Sequence, residues 1–532
     1  MRRFGATALM LAVVAAACDA DESPAGPDFG PTPSTLSLDK IGGFTGGGVG
    51  AAEITAFDPA SKRLFVINGA LGTVDVLDLT VPSAPARVST INVQQFGSGA
   101  NSVAARDGIV ALAIEAAVKT SPGKVAFYRA STLELLSSVQ VGAMPDMITF
   151  TPSGRFVLTA DEGEPNDAYT IDPEGSISII DVRTIGAPTV RTAGFTSLNG
   201  QAAQLRTDGV RIYGPGASVA QDLEPEFIAV SEDSRTAYVT LQENNALGIV
   251  DIDAATVTRI IPFGYKNHNV AGAGIDASDR DGPGGVGSVN IRTWPVLGMY
   301  QPDGIASYVV GGQTYLVTAN EGDTRDWAGL PGLREEARVA TLTLNPSTFS
   351  DVACGGGPCV DNVRLGRLTV SNQTGRNATT GRHDALYVPG ARSFSIWTTS
   401  AQQVYDSGDQ LEQRTTSLPN VAFNASNTGN ALDDRSDNKG PEPEGVALGR
   451  LGSKTFAFIG LERVGGVMVY DVTSPTSPSF VTYVNPRTGA GGDLGPEGII
   501  FVGAAQSPTG KPLLIVGNEV SGTTAIYQVN LL

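Results

Sequence analysis

The chain has 532 residues, of which 41% are hydrophobic and only 17% are charged, with 65 glycines. This composition is typical of a folded, turn-rich β protein rather than of a disordered chain. A single core rarely extends beyond about 250–300 residues, so a chain of this length divides into domains or into modules arranged about an axis. The formal net charge of −18 argues against nucleic acids and anionic membrane surfaces as partners and is compatible with binding of cations.

The amino-terminal residues have the pattern of a lipoprotein export signal. Two arginines precede an apolar run over residues 6–17, which is too short to span a membrane, and small residues lead up to Cys18. We predict a lipoprotein-type signal peptide over residues 1–18 with lipidation of Cys18, and ordinary signal-peptidase cleavage is the alternative. The Pro-rich residues 19–34 are predicted to be a flexible tether. The protein would then contact a membrane only through its lipid, in the cell envelope, at the outer membrane or its periplasmic face.

The other two cysteines, Cys354 and Cys359, lie in the turn-forming segment CGGGPC. In an exported protein, two cysteines at this spacing predict a local disulfide. They make a poor zinc site because the chain has only two histidines and neither is nearby.

One short pattern recurs seven times along the chain. Each copy begins with an entry motif, usually Pro-Asp or Pro-Glu before an apolar residue or glycine, and a β-rich run then leads to a second position that is usually Glu. The entry positions are Glu53, Asn101, Asp146, Glu226, Asp303, Glu444 and Glu497. The strand-end positions are Asn68, Glu115, Glu162, Glu243, Glu321, Glu462 and Glu519. Repetition of this kind is typical of a propeller or a solenoid.

Within each copy, short runs of β-branched and aromatic residues alternate with Gly, Pro and Asp turns, as in four-stranded propeller blades. We predict an all-β fold, a seven-bladed β-propeller over residues 35–532, with insertions at about 186–220, 262–298 and 345–440. The largest insertion could instead form an eighth blade, and an array of β-sandwiches is the alternative architecture. The segment at 34–41 is predicted to pair with the last blade and close the ring, which would remove exposed sheet edges.

Equivalent positions in the blades of a propeller form rings around its central channel, so the repeated acids predict two acidic tiers. Twelve carboxylates brought this close together repel one another unless they are spread out, protonated or bound to cations. Calcium is the cation we expect, because it takes oxygen ligands and is the usual hard cation outside cells. The alternative is that the entry acids cap turns or accept backbone hydrogen bonds, and recur only because the blade recurs.

Two loops in different copies share the pattern of Asp or Asn, then Glu, Gly, and Glu or Asp. We predict that these loops, DEGEPND and NEGDTRD, supply the calcium ligands Asp161, Glu162, Glu164, Asp167, Glu321, Asp323 and Asp326. The predicted channel ring consists of Glu115, Asp146, Glu226, Glu243, Asp303, Glu444, Glu462, Glu497 and Glu519. A third acidic loop, DASDRDGPGG, does not have the register of an EF-hand.

Several longer motifs, among them DEGEPND, MYQPDGIASY, TANEGDTRDW, GARSFSIW and GPEPEGV, resemble those of the choice-of-anchor I family. The resemblance covers nearly everything from about residue 40 to residue 532, and it implies an exported bacterial propeller that is similar also to animal mesenchyme-specific cell surface glycoproteins. Some relatives carry the label alkaline phosphatase, and the PEG and LER motifs are similar to those of esterase-like phytase propellers. The resemblance assigns no catalytic residue.

Two functions follow as hypotheses. The first is a calcium-binding module that binds or adheres to an unidentified surface or small-molecule ligand. The second is a calcium-dependent phosphoesterase, alkaline phosphatase-like or phytase-like, in which carboxylate-held ions polarise a phosphate and activate a water. For the phosphoesterase, the candidate phosphate contacts are Arg325, Arg338, Arg392 and Arg463. The guanidinium group of arginine can donate two parallel hydrogen bonds to two oxygens of one phosphate. The alternative for each arginine is an ion pair within the protein.

Overall fold

The repeated sequence pattern folds into antiparallel sheets of four strands. The computed structural model describes residues 29–325, 327 and 333–532, so that Cys18, the predicted signal peptide, most of the predicted tether and Asp326 lie outside the described residues. A first strand, β1 (Leu36–Thr45), precedes the repeats. The first three sheets are formed by β2 (Thr55–Asp58), β3 (Arg63–Asn68), β4 (Thr73–Asp78) and β5 (Ala86–Asn92); by β6 (Gly99–Arg106), β7 (Ile109–Glu115), β8 (Pro122–Arg129) and β9 (Leu135–Ala143); and by β10 (Pro145–Phe150), β11 (Phe156–Asp161), β12 (Ser176–Asp181) and β13 (Thr189–Gly194).

The second half of the chain contains the remaining sheets and two small additions. The fourth sheet is formed by β14 (Ile228–Val230), β15 (Thr236–Leu241), β16 (Ala246–Asp251) and β17 (Thr256–Pro262). The next strands in the chain are β18 (Tyr265–Asn267), β19 (Leu297–Met299), β20 (Ile305–Val310), β21 (Gln313–Asn320), β22 (Glu336–Arg338), β23 (Thr369–Ser371), β24 (Tyr387–Val388), β25 (Ser393–Thr398) and β26 (Gln403–Asp406). The last strands are β27 (Pro443–Leu451), β28 (Lys454–Leu461), β29 (Val467–Asp471), β30 (Ser479–Val484), β31 (Pro496–Val502), β32 (Leu513–Asn518) and β33 (Thr523–Leu531).

The four-stranded sheets follow one another around a closed cycle. Strands β20, β21, β25 and β26 form the fifth sheet, β27 to β30 the sixth, and β31 to β33 with β1 the seventh. The first strands β2, β6, β10, β14, β20, β27 and β31 contact one another in this order, and β31 contacts β2. Sheets arranged in this way around an axis are the blades of a β-propeller, and the predicted all-β propeller fold is confirmed.

The ring closes between the two ends of the chain. β1 pairs antiparallel with β33, with Leu36 opposite Leu531 and Thr45 opposite Thr523. The amino-terminal segment singled out from the sequence thus supplies the outer strand of the seventh blade. Because β1 comes from before the first blade and pairs with the last strand, β33, the seventh blade has four strands like the others.

The predicted insertions contain blade strands as well as additions. β13 lies within residues 186–220, and β25 and β26 lie within residues 345–440, where the sequence had allowed an eighth blade. The true additions are a sheet of β18, β19 and β24, the pair β22 and β23, and short helices. The α-helices are α1 (Ala202–Asp208), α2 (Val219–Asp222) and α3 (Gln410–Thr415), and the 3-10 helices are Gly69–Leu71, Thr196–Gln201 and Val339–Thr341.

The large insertion has its own small core. Cys354 and Cys359 form a disulfide there, and both pack in a buried cluster with Trp294 and Val339. None of the helices in the described part of the chain has the length and apolarity needed to cross a membrane.

The glycine that follows the entry acid in several copies lets neighbouring blades approach closely. A Cβ added to Gly445 would lie 2.1 Å from the carbonyl oxygen of Glu497, and one added to Gly498 would lie 2.6 Å from that of Glu53. In each case the carbonyl belongs to the entry residue of the next blade. The Pro-acid-Gly motif therefore has a packing role at the channel, because only glycine fits against the backbone of the neighbouring blade.

We expect Gly445→Ala to destabilise the propeller by about 1–3 kcal/mol, the usual effect of overpacking a site that cannot relax. The free energy of unfolding measured in urea tests this. Gly503→Ala is the matched control, since a Cβ there meets no atom within 4 Å. Equal stabilities of the two variants would contradict the packing role of Gly445.

Candidate cation-binding channel

The entry acids stand at the start of the innermost strands and lie in one another's electrostatic field. Burial raises the pKa of Glu497 well above its usual range, and the charges of Glu53, Glu519, Asp146 and Asp303 raise it further. Burial, followed by the charges of Glu519 and Asp146, raises the pKa of Glu53 to about 7. Residues from the first, third, fifth and seventh blades thus face one channel, as expected for a propeller ring.

Three carboxylates form a group without ion pairs in the described residues, which we call the Asp146 cluster: Asp146, Glu162 and Glu226. One oxygen of each lies within 4.8 Å of the others. Glu162 is buried, with 6% of its surface exposed. Across residues 29–325, 327 and 333–532, no side chain forms a hydrogen bond or an ion pair with any of the three. The cluster joins the entry position and the strand end of the third blade to the entry position of the fourth.

The surroundings of the Asp146 cluster disfavour the charged form of each carboxylate. Burial, then the charges of Glu164 and Glu115, raises the pKa of Asp146 to about 6. Burial and neighbouring carboxylates raise the pKa of Glu162 and of Glu226 well above their usual range. Buried like charges at this separation are stable only when they are protonated or surround a cation.

Local structure turns Glu162 toward the other acids. Strand β11 ends beside the start of β10, with Asp161 opposite Pro145. The backbone N–H of Glu162 donates to the carbonyl of Met144 at 3.0 Å, and the next residue, Gly163, has a φ of 72°. This left-handed conformation favours glycine, which explains the Gly of the DEG sequence.

Asp161, predicted to be a calcium ligand, instead fixes the strands of the third blade to one another. Its carboxylate accepts hydrogen bonds from Thr159 at 2.7 Å, Ser176 at 3.0 Å and Ser178 at 2.7 Å, and it is fully buried. The fifth blade has the same arrangement, in which Asn320 bonds with Thr318, Ser393 and Ser395. The first residue of each shared loop pattern is therefore a structural residue.

The rest of the DEGEPND loop divides between a small cavity and the surface. Glu164 lines a cavity of about 230 Å³ together with Glu224, Glu243 and Asp323, and it pairs with Lys119 at 2.8 Å. Glu243 is 6% exposed, and its Oε2 accepts no hydrogen bond within the described part of the chain. Burial, and then the charge of Glu224, raises the pKa of Glu243 to about 8. Asp167 is exposed and belongs neither to the lining of this cavity nor to the Asp146 cluster.

Cationic side chains neutralise part of the acids of the fifth and sixth blades. Glu321 accepts a hydrogen bond from Lys439 at 2.6 Å and another from Gln242 at 3.0 Å. Glu321 lies close to Asp303 and Glu444 in one group and to Glu442 and Glu462 in another. Glu321 of the predicted loop NEGDTRD thus lies among other acids, but its carboxylate already forms an ion pair with Lys439.

Glu442 forms ion pairs with three cationic side chains near the channel. Burial opposes its ionisation, but Lys439, Arg435 and Arg463 outweigh burial and lower its pKa to about 2. Lys439 lies 3.0 Å and Arg463 3.0 Å from its carboxylate. Sequence reasoning missed Glu442 and Lys439.

A repeated tripeptide was the signal for these missed residues. Glu442 precedes Glu444 in an E-P-E sequence, and Glu224 precedes Glu226 in another. In both, the first Glu binds a cationic side chain: Glu442 as above, and Glu224 through Arg325 at 2.9 Å. The second Glu of each is the entry residue and faces the channel.

The four arginines considered as phosphate contacts all form ion pairs within the protein. The pairs are Arg325 with Asp222 and Glu224, Arg338 with Asp437, Arg392 with Glu412, and Arg463 with Glu442 and Glu462. Arg325 and Arg392 are buried at these contacts. A phosphate would have to displace a carboxylate to reach Arg325 or Arg392, and at the part-exposed Arg338 and Arg463 it would compete with one.

A further acidic group lies outside the channel, in the insertions. Asp276, Asp281 and Asp433 approach within 4.8 Å of one another. Backbone N–H groups of Ser288 and Asn290 donate to this group, so its oxygens are partly occupied. Two of these aspartates come from the third acidic loop of the sequence.

The fold and the channel together define a β-propeller whose axis is lined by carboxylates, part of them without partners in the described residues. Residues 53–475 match the choice-of-anchor I domain, and the chain belongs to that family.

Curated relatives from animals match parts of the chain. Gigasin-3a of Magallana gigas is 33% identical over 184 residues, which cover 31% of this chain and 64% of that protein. The mesenchyme-specific cell surface glycoprotein of Strongylocentrotus purpuratus is 29% identical over 287 residues, which cover 48% of this chain and 36% of the relative. The matches therefore span less than two thirds of either relative.

The solved structures that match the chain are distant from it in sequence. Hydrazine synthase of Kuenenia stuttgartiensis matches with a TM-score of 0.47 and 13% identity, covering 90% of this chain and 96% of that one. The β-propeller domain of Cps50 (Swd1) from Myceliophteria thermophila matches with a TM-score of 0.44 and 9% identity, covering 92% and 99%. At this distance the two structures carry no argument about function.

Proposed function

We propose that this protein is an exported cell-surface β-propeller that binds calcium at the Asp146 cluster and acts as a binding or adhesion module. The observation that carries the proposal is the group of three converging carboxylates, of which the buried Glu162 has no partner in the described residues. Membership of the choice-of-anchor I family, and the similarity to a cell surface glycoprotein, support the location. Attachment through a lipid on Cys18 is part of the same proposal.

Calcium fits the chemistry of the Asp146 cluster better than a transition metal does. The cluster offers carboxylate oxygens and no nitrogen or sulfur ligand, and calcium takes six to eight oxygens in flexible geometry. Water would complete the coordination from the channel. A bound dication would also remove the repulsion that raises the pKa values of the three acids.

The arginine contacts favour a binding role over a phosphoesterase. In the phosphoesterase hypothesis these arginines would hold the phosphate beside the metal. Each of the four candidate arginines is engaged with a carboxylate of the protein. We therefore keep phosphate-ester hydrolysis as an outcome to be tested rather than as the proposed function.

Calcium should raise the melting temperature of purified full-length protein that has been freed of metal, and EDTA should reverse the effect. Ligand at about 100 times its Kd stabilises a folded state by about 2.7 kcal/mol. Magnesium should stabilise the protein less, because it gives up its waters reluctantly. A melting temperature that responds to neither calcium nor EDTA would contradict the calcium site.

Turnover of p-nitrophenyl phosphate and of phytate, measured on the same samples, separates the two functions. We expect none with calcium or with EDTA. Calcium-dependent turnover would replace the binding role with a phosphoesterase.

A further inference from the structure

The channel holds a second and larger space, which we call the funnel. It has a volume of about 660 Å³ and is lined by β2, β6, β10 and β31 together with the turns that follow β2 and β31. The strand-end acids lie where the first strands begin, since β11 ends beside the start of β10. The funnel therefore extends along the first strands away from those acids, toward the opposite face of the propeller.

The funnel has an acidic floor, and its walls carry both apolar and polar side chains. The floor is formed by Asp146, Asp303 and Glu497, the entry acids of three different blades. Apolar residues along the walls include Ile54, Val103, Ile148, Phe227, Val446 and Ile499. A ligand in the funnel would thus meet carboxylates on the floor, and apolar side chains would cover part of its length.

The carboxylates on the floor have no counter-charge of their own. Asp146, Asp303 and Glu497 form no ion pair in the part of the chain that the structure describes, and Glu497 Oε2 is a buried oxygen with no hydrogen-bond donor there. Burial and neighbouring carboxylates raise the pKa of Asp303 and of Glu497 well above the usual range. These floor acids therefore disfavour an anionic ligand and favour a cationic one.

The walls supply one positive charge, and it is already paired with a carboxylate of the protein. Of the residues that line the funnel, only Arg106 is cationic. Its Nε lies 3.3 Å from the Asp107 carboxylate, and its Nη2 donates to the carbonyl of Pro152. The lining is consequently more acidic than basic, because Asp58 and Asp107 add to the acids on the floor and Arg106 is the cationic side chain among them.

We propose that the funnel binds a small organic cation, with its ammonium or guanidinium group against Asp303 and Glu497 and its hydrocarbon body along the apolar side chains of the walls. The volume lies within the range of about 300–1,000 Å³ that small-molecule sites occupy, and apolar walls with a few polar groups are their usual lining. A metal ion would need the acids but not the walls. This inference goes beyond the calcium proposal, although Asp146 borders both sites.

Isothermal titration of metal-free, full-length protein with 1,5-diaminopentane tests the proposal. We expect saturable binding, at least tenfold weaker binding of the neutral 1,5-pentanediol, and at least a tenfold loss of diamine affinity in Asp303→Asn. Glu134→Gln is the matched control: it removes one negative charge from an exposed side chain on the second blade and should leave the affinity unchanged. Equal binding of diamine and diol, or equal effects of the two substitutions, would overturn the proposal.

A second variant separates this inference from the calcium site. Glu162→Gln should weaken calcium binding and leave diamine affinity within about threefold, because Glu162 does not line the funnel. Loss of both ligands in Glu162→Gln would show one shared acidic site and would overturn the funnel as a separate one.

A lysine derivative with both ends blocked, Nα-acetyl-lysine N-methylamide, serves as a further probe. Binding as tight as that of the diamine supports recognition of an alkylammonium on a polypeptide, and tighter diamine binding supports a free amine. A melting curve for each variant confirms that it is folded.

Discussion

Replacing Arg325 by methionine is expected to lower the free energy of unfolding by about 3–5 kcal/mol, the usual effect of removing one partner of a buried ion pair. The side chain is 1% exposed, and its guanidinium lies 3.0 Å from Asp222 and 2.9 Å from Glu224. It also donates to the backbone carbonyl of Asp222 at 2.7 Å. Without the guanidinium, two buried carboxylates between the fourth and fifth blades lose their counter-charge.

Urea unfolding of Arg325→Met measures this effect against Arg129→Met. Arg129 forms an exposed pair with Glu134, where loss of the charge should change the stability by no more than about 1 kcal/mol. Adding Glu224→Gln to Arg325→Met should recover part of the loss, because one of the stranded charges is then removed. Similar losses in Arg325→Met and Arg129→Met would show that the buried pair does not hold these blades together.

Replacing Glu162 by glutamine is expected to have opposite effects on the two states of the protein. The metal-free protein should become more stable, because a buried carboxylate with no counter-charge is replaced by a neutral group of the same shape. Calcium affinity should fall by at least about tenfold, because the site loses a charged ligand. A residue with only a structural role would not combine a gain without metal with a loss of calcium binding.

Melting temperatures with EDTA and over a calcium titration measure both effects of Glu162→Gln. Asp167→Asn is the matched control, since Asp167 is an exposed acid of the same loop that lies outside the cluster. Its calcium response should match that of the unaltered protein. If Glu162→Gln keeps the full calcium response, Glu162 is not a ligand.

The sequence predicted the part of the candidate site that depends on local contacts within a blade. The repeat identified the entry and strand-end positions because each blade reuses the same strand–turn geometry. The same reading treated Asp161 and Glu162 alike, although one binds Thr159 and two serines within its own blade and the other faces the channel. Adjacent residues of a strand end point in different directions, and the alternation decides their roles.

Pairing between neighbouring blades could not be read from the sequence. Glu321 and Glu162 occupy equivalent positions in similar loops, yet only Glu321 meets a lysine, and that lysine, Lys439, comes from a segment 118 residues further along the chain. The E-P-E sequences marked Glu224 and Glu442, but nothing local showed that Arg325 and Arg463 would reach them.

By itself, the sequence determined the family, the propeller fold, the closing amino-terminal strand and the two sets of repeated positions, because blade strands, turns and motif glycines follow from local patterns. Only the tertiary structure decided which carboxylates are neutralised and which stay unpaired, and that a funnel lies beside them. The charge state of a buried carboxylate depends on the nearest opposite charge, and for Glu321 and Glu224 that charge comes from a residue 118 and 101 positions away along the chain.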